Sequence, residues 1–320
     1  MTLPKEPDVQ PNPSDYDYDL EAALRCVVKL RTLIPADAFT ADTLGTERTG
    51  NGILIRKDGL VLTIGYLVTE AETVWVTLAD GNVVQGHVVA FDQETGFGLV
   101  QLLARIEVPV LPLGTSAQAA VGDDVVIAGG GGLAQAVAAR IIAKQEFAGY
   151  WEYLLDEALF VSPAHQHWGG TALINAAGEV IGVGSLQIQR GASERQDDAN
   201  MVVPIDLLKP ILADLERFGR QNKPSRPWLG LFASELDGGV AVLGVAARGP
   251  AQDARLQVGD VILDVAGGRV SSLADLFRRV WSLGSAGVEV PLTISREGRV
   301  RSLNVHSGDR RDFLKGPVLH

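Results

Sequence analysis

What constrains this chain most is how its apolar runs are cut. Gly50-Asn51-Gly52-Ile53-Leu54-Ile55 passes through Lys57-Asp58-Gly59 into Leu60-Val61-Leu62-Thr63, which reads as a strand, a glycine turn and a second strand. Trp75-Val76-Thr77-Leu78 and Val83–Ala90 flank an Asp80-Gly81 turn in the same way. Leu24–Thr32, Val100–Leu103, Asp124–Ala128 and Ala158–Val161 are further short runs rich in Val, Ile and Leu. Short strands with turn signals at this spacing build a sandwich or a barrel. With 36 glycines among 320 residues, there are enough turn formers for many such hairpins. Helical spacing shows in two places: Asp206–Phe218, where Leu207, Leu208, Ile211, Leu212 and Leu215 share a face, and about Leu273–Val280.

Charge and cysteine usage narrow the function classes. A formal net charge of -11 disfavours nucleic acid and anionic membrane surfaces as partners. The single cysteine, Cys26, excludes an intramolecular disulfide and sits in an apolar run as a small hydrophobe. No apolar run is long enough for a transmembrane helix. The polar, acidic start is unlike a signal peptide, so the expected location is cytoplasmic if this N-terminus is native and periplasmic if a leader was removed.

The C-terminal third carries the sharpest motif. Ala254-Arg255-Leu256-Gln257-Val258-Gly259-Asp260-Val261-Ile262, with Gly267 after it, follows Trp228-Leu229-Gly230-Leu231 and a strand at Gly239–Val242. This resembles a PDZ domain. The resemblance implies that Trp228, Leu229, Gly230 and Leu231 form the peptide-binding loop. Its backbone N–H groups would capture a C-terminal carboxylate, and Leu229 and Leu231 would line a pocket for the last side chain.

A second resemblance rests on His165-Gln166-His167-Trp168-Gly169-Gly170-Thr171-Ala172-Leu173-Ile174-Asn175, followed by Gly178-Glu179-Val180-Ile181-Gly182. This frame is similar to the nucleophile loop of HtrA/Deg trypsin-like serine proteases, G-N-S-G-G-P-L-hydrophobic-N-x-x-G-E-V-I-G. Leu62-Thr63-Ile64-Gly65-Tyr66-Leu67-Val68 matches the family's His motif, and Asp92–Leu99 its Asp motif. The aligned triad positions hold Tyr66, Gly96 and Gly169. A phenol is a poor general base at neutral pH, and glycine has no side chain to react. The oxyanion glycine becomes His167, and His167 with Trp168 adds bulk that would occlude the old cleft. The fold implied is mainly β: a trypsin-like double β-barrel followed by a PDZ domain. The expected layout is a flexible N-terminal arm at 1–20, a protease-like domain at 21–219, a linker at 220–225, the PDZ domain at 226–308 and a tail at 309–320.

From these residues the chain reads as an inactive homologue that binds polypeptide or protein C-termini, as adaptor or chaperone-like scaffold. No catalytic residue, metal or cofactor is expected. The resemblance also implies a homo-oligomer, a trimer held by aromatics near the start of the protease domain; Tyr16 and Tyr18 would dock either on the body of the chain or on a neighbouring subunit. One competing reading is an endopeptidase with a relocated site drawn from Ser162, His165, His167 and Thr171, which requires a Ser–His contact. Another is a metal or ligand sensor using His165 and His167, with Asp156 or Glu157 as a third ligand. Gly129-Gly130-Gly131-Gly132 could cradle a phosphate, but its spacing fits no nucleotide fingerprint, so a tight loop between strands is expected.

Overall fold

The computed structural model describes residues 10–104, 107, 109–190, 197–236 and 239–316. The chain divides into two compact units: Glu146–Asp156 with Asn222–Lys315 form one, and the rest of the chain forms the other.

The first unit contains two closed barrels. A short helix α1 (Leu20–Leu24) leads in, with the Asp19 carboxylate accepting from the Ala22 N–H at its start. The first barrel follows with β1 (Val27–Leu33), a short helix α2 (Ala41–Leu44), β2 (Glu47–Leu54), β3 (Leu60–Ile64), β4 (Thr73–Thr77), β5 (Val83–Phe91) and β6 (Phe97–Leu102). These close in the order β1-β2-β3-β6-β5-β4. Strand β1 shows why the pattern folds this way: Val28, Leu30 and Thr32 point inward while Lys29 and Arg31 point out. Strand β3, paired on both edges, is buried along its whole length.

The second barrel has β7 (Asp124–Ala128), β8 (Ala136–Gly149), β9 (Tyr153–Ser162), β10 (Ala172–Ile174), β11 (Val180–Arg190) and β12 (Asp197–Pro204). It closes in the order β10-β11-β12-β9-β8-β7 around Val125, Ile127, Ile141, Leu159, Leu173 and Val202. The glycine stretch 129–132 is a tight connection: the Gly129 N–H donates to the Gln135 carbonyl, and the Gly130 N–H to Asn51 Oδ1.

The second unit is a twisted sheet with two helices. Its elements are β13 (Leu231–Leu236), β14 (Gly239–Val245), the short α4 (Pro250–Asp253), β15 (Val261–Val265), β16 (Gly268–Arg269), α5 (Leu273–Ser282), β17 (Glu289–Arg296) and β18 (Arg299–His306). The sheet runs β13-β14-β15-β17-β18, with β16 paired to β15, so β13 is an edge. Helix α5 starts where Ser272 Oγ accepts from the Asp275 N–H, and it buries Leu273, Leu276, Phe277 and Val280. The Gly259-Asp260 motif has a structural task. Asp260, 1% exposed, accepts two 2.6 Å bonds from the Arg296 guanidinium and one from the Gln257 N–H. The turn 146–156 belongs to this unit, and Leu154 joins its apolar core.

Several expected boundaries move. The first strand begins at Val27, not Leu24, because Asp19 caps a helix just before it. The expected helix Asp206–Phe218 shrinks to α3 (Leu212–Phe218) behind a 3-10 turn at Ile205–Leu207. Pro210 lacks the N–H that a continuous helix would need. Of the arm expected to be flexible, residues 10–20 are fixed: Asn12 caps a turn at Pro13–Asp15, Pro11 and Leu20 are buried, and the Tyr18 ring lies against Gly178. Residues 1–9 lie outside the described residues. The expected tail also folds back from its start. Ser225 Oγ donates to Asp309 at 2.7 Å, and the Phe313 ring packs 4.8 Å from that of Trp228. Positions 317–320 lie outside the described residues.

Candidate functional site

Strand β3 ends in a single 3-10 turn, Gly65–Leu67, that presents Tyr66. The turn is held from below by Arg48, a buried cation whose guanidinium donates to the Tyr66 carbonyl at 2.7 Å and the Thr69 carbonyl at 3.1 Å. Its other nitrogen donates to Thr40 Oγ1, which in turn donates to Glu70 at 2.6 Å. Gly96 adjoins this turn, its carbonyl accepting from the Gly65 N–H at 2.6 Å. Gly96 itself has a φ of 83°, a left-handed conformation that suits glycine.

Gly169 comes to the same place from the second barrel. A Cβ built on it would lie 2.6 Å from the Tyr66 hydroxyl. Two of the three positions that the resemblance aligns with the family's triad therefore meet, Tyr66 from the turn after β3 and Gly169 from the loop before β10, while Gly96, in the β5–β6 turn, bonds to the backbone beside Tyr66. The Tyr66 hydroxyl is committed: it donates to the Ser185 carbonyl at 2.8 Å. Burial raises the phenol above its ordinary value, against a hydrogen bond from the Trp168 side chain that lowers it. It is neutral at physiological pH.

The nucleophile-like loop is pinned by Asn51, which sits between two glycines in β2. Its amide donates to the carbonyls of His167 (2.8 Å) and Gly169 (3.1 Å), and its N–H donates to Gly169 as well. Asn51 Oδ1 also accepts from Gly130. Only glycine fits next to it: at Gly170, with φ 77°, a Cβ would stand 1.9 Å from the Asn51 carbonyl oxygen.

His165 is buried and fully used. Its Nε2 pairs with the Gln135 carbonyl at 3.1 Å, and its Nδ1 accepts the His167 N–H at 3.0 Å. Desolvation lowers its pKa, keeping it neutral. The His167 N–H, which an oxyanion hole would aim at a substrate, is thereby spent on His165. The His167 side chain corrects an expectation: it is exposed and fills no cleft. Trp168 is half-buried, with its carbonyl accepting from Thr171 Oγ1 at 2.8 Å. Ser162 Oγ is directed to the Asp198 carbonyl, not to an imidazole. Asp156 pairs with Arg278 and Glu157 with Lys144. Among the described residues no three His, Cys, Asp or Glu side chains group to hold a metal ion.

In the second unit, Trp228-Leu229-Gly230-Leu231 forms the loop before β13. Trp228 is a structural anchor: its N–H and carbonyl exchange bonds with Gly308, and its ring meets Phe313. Leu229 and Leu231 are buried in the core. Gly230 has a φ of 75°, which aligns the successive N–H groups into a concave, anion-accepting nest. Those groups are already engaged. Glu152 accepts from Leu229 (3.0 Å), Gly230 (2.7 Å) and Leu231 (3.0 Å).

A pair of six-stranded barrels, followed by a PDZ-type sheet with a nest loop, defines a trypsin-like peptidase domain joined to a PDZ domain. Residues 50–183 match the trypsin-like peptidase domain and residues 227–306 the PDZ domain. The chain has homologues named DegS and DegP-like serine endoproteases. It is 28% identical to the serine endoprotease DegS of Haemophilus influenzae, over 86% of this chain and 81% of that protein. It is 30% identical to a probable periplasmic DegP-like serine endoprotease of Pseudomonas putida, over 83% of this chain and 57% of that protein. The chain thus spans little more than half of the DegP-like relatives' length. In fold it is similar to the serine endoprotease of Yersinia pestis (TM-score 0.53, 21% identity, 91% of this chain and 98% of that one). It is equally similar to the HtrA-type protease AlgW solved with a decapeptide (TM-score 0.54, 21% identity, 93% and 99%). Among the described residues no helix is long and apolar enough to cross a membrane.

Sequence reasoning missed Asn51, Ser185 and Glu152. Asn51 left a faint signal, a polar residue between two glycines inside an apolar strand. The other two left none: Ser185 acts through its carbonyl, and Glu152 acts on amides 77 positions away.

Proposed function

We propose that this chain is a proteolytically inactive HtrA/Deg-type protein that binds polypeptide C-termini through its PDZ domain, as an adaptor or chaperone-like scaffold. One observation carries the reading: Tyr66 and Gly169 meet where a base and a nucleophile would stand, and neither can serve. The phenol is neutral and bonded to a carbonyl, Gly169 has no side chain, and the His167 N–H is turned to His165. Removing all triad members leaves at most residual catalysis from an oxyanion hole, and here that hole lacks a donor. The Tyr66 ring stands over Gly169, and the His167 side chain is exposed. A relocated serine site gains no support, since both ring nitrogens of His165 are committed to backbone. The same commitment disfavours the metal-sensor reading. The PDZ match and the relative solved with a decapeptide support a peptide partner. Relatives named periplasmic support a periplasmic location over a cytoplasmic one. A trimer follows from family resemblance alone and is testable by analytical ultracentrifugation.

Purified chain incubated with casein and with a fluorophosphonate probe tests the inactivity. We expect no cleavage and no labelled serine. Probe-sensitive cleavage that survives repurification and maps to a residue of this chain would overturn the reading.

A further inference from the structure

The nest loop of the PDZ domain accepts a carboxylate, and the carboxylate it holds is this chain's own. Glu152 lies in the turn between β8 and β9, within the second compact unit. Its two oxygens take all three N–H groups of Leu229, Gly230 and Leu231. Two residues upstream, the Tyr150 carbonyl accepts from the Ala233 N–H at 2.9 Å, on the free edge of β13. A strand-type bond to a sheet edge together with a carboxylate in a backbone nest is the pattern by which an extended peptide with a free C-terminus is held.

The backbone of the turn fits that role. A true C-terminus would stop at the nest, but this chain must continue to Tyr153. Glu152 adopts a φ of 60°, uncommon for a residue with a side chain, and the side-chain carboxylate takes the terminal position while the main chain turns away. Just beyond, Leu154 joins the apolar cluster that contains Leu229, Leu231, Leu276 and Val280. Two ion pairs tie the same turn to α5, from Arg278 to Glu146 and to Asp156. They are exposed and contribute little. Withdrawing Glu152 would leave three clustered N–H groups without acceptors, which is costly and favours capture of another carboxylate.

We propose that the turn 149–152 is the resident ligand of this PDZ domain, with Glu152 standing where a partner's terminal carboxylate would bind. This rests on the peptide-binding reading above and adds its regulation: a partner binds by displacing the turn. Its apparent affinity is lowered by the fraction of time the turn is docked.

The test uses the full chain and a fluorescein-labelled hexapeptide pool ending in Val, Leu, Ile or Phe, as free acids and as C-terminal amides. Binding is read by anisotropy, and amide exchange at Leu229–Leu231 by hydrogen–deuterium mass spectrometry. Glu152→Ala, which removes the acceptor altogether, should bind the free-acid pool about tenfold tighter than the unmodified chain and should ignore the amides. Its Leu229–Leu231 amides should exchange faster and regain protection with peptide. Glu152→Asp, one methylene shorter, should move the same way by less and serves if the Ala variant fails to fold. If the unmodified chain binds the acids and neither variant binds tighter, the resident-ligand proposal is overturned and peptide binding stands. If protection at Leu229–Leu231 is unchanged in the variants, the proposal is likewise overturned. If protection is lost but no pool binds any form, the peptide-binding reading fails while Glu152 remains the ligand of the loop.

Discussion

Placing a serine at position 169 tests the contact between Tyr66 and Gly169. Gly169 is not among the glycines of positive φ, so its backbone tolerates a side chain. What opposes one is the Tyr66 hydroxyl, 2.6 Å from where the Cβ would stand. That hydroxyl is the far end of a side chain, but it is bonded to the Ser185 carbonyl. Forcing it aside both overpacks the spot and breaks that bond, so Gly169→Ser should cost about 2 kcal/mol. Tyr66→His, which removes the phenol and leaves the carbonyl without its donor, should cost a similar amount, about 2 kcal/mol. The imidazole is shorter, so it also vacates the space the new serine needs. The two changes should therefore cost less together than their sum, with a coupling of about 1–2 kcal/mol. Calorimetry on the two single variants and the double variant reads this as melting shifts of roughly 2–4 °C per kcal/mol for a domain of this size. Additive losses, within about 0.5 kcal/mol, would refute the argued contact between Tyr66 and Gly169.

Two further outcomes follow from buried charge. Arg296→Met leaves Asp260 ionised and buried without its guanidinium, and should destabilise the PDZ domain by about 3–5 kcal/mol by urea unfolding, with Asp260→Asn/Arg296→Met much milder. Burial raises Glu152 to about 6, outweighing the three N–H donors and Arg310, which lower it. The docked carboxyl thus holds its proton better than a free one. Docking is fully favoured below about 4.5 and weakens as pH rises through 6, a difference of about 2 kcal/mol. Free-acid peptide should accordingly bind more tightly at pH 7 than at pH 5 by anisotropy. A pH profile unchanged in Glu152→Ala would show that another group sets it.

Much of this protein was legible in one dimension. Alternating residues such as Val28, Leu30 and Thr32 declare an inner face, and glycines at Gly59 and Gly81 declare the turns. The Leu256–Ile262 motif points to the PDZ sheet, and the residue types at 66, 96 and 169 are readable against the resembled family's triad motifs. Local spacing carries all of this, because it fixes which side of a strand a residue faces. It does not fix what that face meets. Only the folded chain makes Tyr66 close the space above Gly169, leaves His167 in solvent beside a half-buried Trp168, and ties Asn51 to a carbonyl 118 positions away. The same holds for Glu152, which in the sequence is one acidic residue of an aromatic-rich turn. Its partner is a row of backbone amides, which every sequence has, and only the left-handed Gly230 loop gathers them into one place. Side-chain identity put Tyr66, Gly96 and Gly169 at the positions the family resemblance aligns with a triad, and tertiary structure decided which carboxylate the Gly230 loop already holds.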